Sequence, residues 1–128
     1  MLILRGIKNL LHAEPAKQLA IAMDYTPEVL PASGETGLYS AQVNLAIKRI
    51  QRNDITGLYG FSGGAYNLVH IWSRLNQDHR NMIKKIVVLG APSVAYKSFA
   101  ECEDVDIFNN PNVAHMLQPE NYLEINTW

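Results

Sequence analysis

A single cysteine, Cys102, stands in the 128 residues, which excludes any internal disulfide and fits a reducing compartment. Its neighbours Glu101, Glu103 and Asp104 disfavour a thiolate, so an inert thiol is expected. The chain also lacks a block of like charge. Its 11 Lys and Arg stand against 12 Asp and Glu, for a net charge of −1, which argues against nucleic acid as the main partner. No apolar run reaches membrane-spanning length, so no membrane span is expected. The opening Met1-Leu2-Ile3-Leu4-Arg5-Gly6 lacks the pattern of a signal peptide and reads as a strand that begins at once. A cytoplasmic protein is the resulting expectation. There is no internal repeat, no low-complexity tract, no G-x-G-x-x-G and no Walker lysine, which weighs against a nucleotide-binding domain.

Hydrophobic residues make up 48% of the chain, enough to build the core of one domain spanning residues 1–128. Charged residues make up only 18%, which leaves apolar surface for a substrate or for a homo-oligomer. Strand signals alternate with helix signals. Strands are expected over residues 2–5, 28–30, 55–59, 83–89 and 105–108. Helices are expected over 14–23, 40–52, 63–75 and 119–125, with a loop at 31–37 and a polar link at 76–80. Leu19, Ala22 and Met23 would share the inner face of the first helix. The unbroken Ile86-Val87-Val88-Leu89 suits a strand covered on both faces. The whole predicts an α/β three-layer sandwich, a mainly parallel sheet of about five strands with helices on both faces. The functional site should lie at the carboxyl ends of the strands.

One motif dominates the chain. Gly60-Phe61-Ser62-Gly63-Gly64 is a G-x-S-x-G between an apolar strand and a helix, the context of a nucleophile elbow. Glycines on either side would let strand and helix approach without Cβ clashes. The bland alternative is a glycine-rich turn at a helix N-terminus that binds an anion or nothing.

A serine hydroxyl needs a base within reach, and the base needs an orienting group. His115 follows the last strand and has the chain order of such a base. His70 lies two turns into the helix behind Ser62, His79 falls in the polar link, and His12 precedes the serine. The usual place of the acid reads Phe108-Asn109-Asn110-Pro111, without a carboxylate. Three alternatives stay open: Asp106 orients His115, Asn110 does so through its side-chain carbonyl, or the triad is incomplete. An oxyanion hole would take the backbone N–H of Gly63 and that of Gly6 or Ile7. Arg5 adds a cation at the rim or is a solvated strand-end charge. Phe61, Tyr39, Tyr66 and Trp72 fit an acyl pocket or the core equally well.

The elbow, the strand ending Gly90-Ala91-Pro92 and the late His115 together resemble a compact α/β-hydrolase, closest to cutinase-like serine esterases. The resemblance covers roughly the second half of the chain. It implies Ser62 as nucleophile, His115 as base and Gly63 as oxyanion donor, and it supplies no acid, since Asn110 stands at the matching position. The expected activity is cleavage of an ester or thioester from a small-molecule or lipid-like substrate, with no cofactor and no metal. The alternative is a catalytically weak or inactive scaffold that binds a ligand.

Overall fold

The computed structural model describes residues 1–5, 13–30 and 39–108. Five strands form one sheet: β1 (Leu2–Leu4), β2 (Glu28–Val29), β3 (Gly57–Phe61), β4 (Lys85–Leu89) and β5 (Val105–Phe108). Their order is β2-β1-β3-β4-β5, and every pairing is parallel. Helices α1 (Ala13–Ala22), α2 (Tyr39–Ile50), α3 (Gly63–Arg74) and α4 (Gln77–Met82) intervene, with a 3-10 turn at Tyr96–Phe99. This is the α/β architecture expected from the alternating pattern.

Strand alternation divides the core in two. Leu2, Leu4, Leu58, Ile86 and Val88 join Val43, Ala46 and Ile50 of α2 and Ala65, Leu68, Ile71 and Trp72 of α3. Ile3, Tyr59, Val87, Leu89 and Phe108 join Ala16, Leu19 and Ala20 of α1 on the other side. The Ile86–Leu89 run is fully buried, as a strand covered on both faces must be. The inner face of α1 differs by one position from the expectation. Ala16, Leu19, Ala20 and Met23 form one stripe facing the sheet, whereas Ala22 is exposed, because it falls off the edge of that stripe, two residues past Ala20 and next to the outward Ile21.

Two segments depart from the local pattern. The polar link at 76–80 is helical: Asn76 caps α4 by accepting from the His79 N–H at 2.9 Å. Ile55 is buried but precedes β3, which begins at Gly57, where a Cβ would lie 2.9 Å from the Tyr25 ring. The closing helix expected at 119–125 lies outside the described residues.

The amino ends of the strands are tied by ion pairs. Arg49, in the last turn of α2, reaches Glu28 of β2 and Asp54 in the turn before β3. Lys85 of β4 reaches Asp104 and Asp106 beside and within β5. Trp72 anchors the far half of α3. Its indole N–H donates to the Ala100 carbonyl at 3.1 Å, its ring meets Phe99 edge-on at 6.3 Å, and the Arg80 guanidinium sits 5.7 Å from its centroid.

Candidate functional site

Ser62 stands at the carboxyl end of β3, between Phe61 and the first residue of α3. Its backbone has φ 51° and ψ −116°, a conformation that residues with a Cβ rarely adopt. The surroundings impose it. The Ser62 N–H donates to the Leu89 carbonyl at 2.9 Å, which ties the turn to β4. The Ser62 carbonyl then accepts from the N–H groups of Ala65 at 3.0 Å and Tyr66 at 3.2 Å, which starts the helix. The chain therefore leaves the sheet and enters α3 within one residue.

The two outer glycines of the motif have a steric reason. A Cβ on Gly60 would lie 2.7 Å from the Ala65 Cα, so strand and helix could not cross so closely. A Cβ on Gly64 would lie 2.2 Å from the Leu4 carbonyl oxygen and 2.9 Å from that of Arg5. Gly64 thus lets the first turn of α3 rest directly on the end of β1.

Ser62 is half-buried, and its side chain makes no capping hydrogen bond to α3. Among the described residues the N–H groups of Gly63 and Gly64 have no backbone acceptor, as the first amides of a helix do not. No acidic residue sits in the first turn of α3, so the positive end of its dipole is uncompensated there. A hydroxyl free of local bonds stands beside amide donors at that end. Such an arrangement can present a nucleophile and hold developing negative charge.

One turn further, Asn67 is fully buried and donates to the Gln42 side-chain oxygen at 2.6 Å, joining α3 to α2. Among the described residues the Asn67 side-chain oxygen has no hydrogen-bond partner. No sequence signal singled out this pair, because isolated amides in two amphipathic helices look like surface residues.

The other candidates separate by location. His70 is exposed on α3, and His79 meets the Asn53 side chain at 3.0 Å near the amino ends of the strands. Neither stands beside Ser62. His12 and His115 lie outside the described residues, as do Gly6, Ile7, Asn109 and Asn110. Asp106 faces Lys85 and is bonded to it, two residues before the end of β5. Burial lowers the Lys85 pKa, but its hydrogen bonds to Asp106 and Asp104 outweigh this and leave it above the ordinary lysine value.

Trp72 belongs to the core, ten residues past Ser62, and not to an acyl pocket. Phe61 packs partly buried against the α1 side, and Tyr66 is 39% exposed. Burial raises the Cys102 pKa; the hydrogen bond to the Asp104 backbone opposes this and the Asp104 and Glu103 charges add to it, leaving it above the ordinary value, in keeping with an inert thiol. No group of metal-ligating side chains occurs among the described residues, and no helix among them is long and apolar enough to cross a membrane. Neither a protein-family model nor a curated protein sequence matches this chain.

Proposed function

We propose that this chain is a small serine hydrolase of the compact, cutinase-like kind, cleaving an ester or thioester through Ser62. The observation that carries the reading is the backbone of Ser62, held at φ 51° and ψ −116° between two glycines whose missing Cβ atoms make the turn sterically feasible. Strain of this sort persists only where the surrounding structure enforces it, and it clusters at functional sites. A plain helix N-terminus needs neither the strain nor glycines packed on backbone.

In this reading the Ser62 oxygen attacks the carbonyl carbon while a histidine takes its proton. The oxyanion is met by the Gly63 N–H and by a second donor from the segment after β1, where Gly6 and Ile7 lie. His115 is the base proposed. With His70 and His79 placed elsewhere, a histidine base has to come from His115 or His12. With Asp106 engaged by Lys85, Asn110 becomes the preferred orienting group.

The second reading is a hydrolase-like binding scaffold of little or no activity. The Asp106–Lys85 pair favours it, because that pair engages the carboxylate that chain order offers as the acid. Hydrolysis of p-nitrophenyl butyrate separates the two. Ser62→Ala and His115→Ala should each lower kcat/KM by on the order of 10³ or more. Turnover unchanged by Ser62→Ala would remove the hydrolase reading.

A further inference from the structure

Arg5 directly follows β1 and abuts the elbow, its carbonyl oxygen 2.9 Å from the position a Gly64 Cβ would take. In the β1–β3 register Leu4 stands opposite Gly60, so Arg5 is level with Phe61 and one residue short of Ser62. Chain order reverses between β1 and β3 in this sheet, and open parallel sheets bind ligands in the crevice at such a point.

The Arg5 Nε is buried, and among the described residues it has no hydrogen-bond acceptor and no carboxylate forms an ion pair with the guanidinium. The contrast with the other partly buried cations is sharp: Arg49 holds Glu28 and Asp54, and Lys85 holds Asp104 and Asp106. Most described carboxylates lie toward the amino ends of the strands, Asp24 and Glu28 at β2, Asp54 before β3, Asp78 before β4 and Asp104 before β5. Glu14, at the start of α1, accepts from Gln18 and pairs with Lys17. An arginine stays charged, and a buried charged donor without an acceptor carries its full desolvation cost. A ligand anion relieves that cost, and the planar fork matches a carboxylate with two parallel bonds.

We propose that Arg5 receives a carboxylate of the substrate, so that the ester cleaved at Ser62 is a hemiester bearing one negative charge. The proposal rests on the reading of Ser62 as nucleophile. A carboxylate fits better than a phosphate dianion, because no second described cation stands at the tips of β1 or β3. Arg5 is then a specificity residue: it binds the anion, while the serine, the amide donors and the base perform the acyl transfer.

The test uses the full chain carrying Ser62→Ala, titrated calorimetrically with monoethyl succinate and with diethyl succinate. The monoanion should bind on the order of tenfold tighter or more, the preference should shrink with added salt, and Arg5→Gln should abolish it. Arg5→Lys, which keeps the charge and loses the fork, should retain only part of it. Independently of any Arg5 variant, the Arg5 Nε–H proton signal should shift on adding the monoester and not the diester. Equal affinities, no binding of either ester, a preference that survives Arg5→Gln, or an unmoved Nε–H signal would each overturn the proposal. Tighter binding of inorganic phosphate than of the monoester would overturn the carboxylate assignment. Labelling of wild-type Ser62 by a fluorophosphonate separates the two claims. A labelled serine without anion preference removes the role of Arg5 alone, and Arg5-dependent anion binding without labelling removes the hydrolase.

Discussion

Gly64 and Leu4 are in backbone contact: a Cβ on Gly64 would stand 2.2 Å from the Leu4 carbonyl oxygen. The first turn of α3 therefore sits on the end of β1, and the position of Ser62 depends on that contact. Gly64→Ala should cost about 3 kcal/mol or more, since the clash is with backbone and no side-chain rotation relieves it. Urea unfolding of wild type and variant measures it. A cost below about 0.5 kcal/mol would mean that helix and strand are not so close.

Ser62 contributes strain of the opposite kind. At φ 51° and ψ −116° a glycine is comfortable and a serine is not. Ser62→Gly should therefore raise stability by about 1 kcal/mol while removing all esterase activity. Thermal unfolding checks the first half, and a lowered Tm would show that the elbow is unstrained.

In the proposed hydrolase, Asp106 and Asn110 are the two candidates for orienting His115. Because Asp106 is bonded to Lys85, Asp106→Asn should lower kcat/KM by less than about tenfold, whereas a carboxylate that orients and supports the imidazolium is worth on the order of 10⁴. Asn110→Ala should have the larger effect of the two. A 10⁴-fold loss in Asp106→Asn would restore Asp106 to the site.

Lys85 sets the alkaline limit of one part of the fold. Its pKa lies above the ordinary value of 10.5, with burial opposing and the Asp106 and Asp104 bonds prevailing. A group whose folded pKa is raised contributes stability that is complete below the unfolded value and lost as pH rises through the folded value. The Lys85 contribution should thus be intact at pH 8 and fade above about pH 10.5. Tyr25, also raised by burial and by Asp104, acts in the same direction near there. Melting curves of wild type and Lys85→Met across pH 8 to pH 11.5 isolate the lysine, since Tyr25 is common to both. The variant should show the flatter profile, and parallel profiles would contradict the assignment.

The elbow was legible because its requirements are local. Gly60, Ser62 and Gly64 meet a steric demand that five consecutive residues reveal, and the apolar run before them marks the strand. The parallel sheet was legible from Ile86–Leu89, whose lack of alternation requires cover on both faces. Helix α4 was not, because Gln77–Met82 has no buried residue and so no periodic signal; the Asn76 cap was the only local cue. The commitment of Asp106 to Lys85 was equally hidden, since it depends on β4 lying beside β5. The same limit applied to Arg5. Its place at the end of the first apolar run could be read, though the strand itself stops at Leu4, but the absence of a partner for its Nε among the described residues is a property of the assembled fold.

The most direct measurement is mass-spectrometric mapping of the residue modified when the intact protein meets a fluorophosphonate. Ser62 should carry the label, native protein should react and urea-unfolded protein should not, and Ser62→Ala should remove the adduct while leaving the circular dichroism spectrum unchanged. Label on another residue, or equal labelling of wild type and Ser62→Ala, would contradict the account.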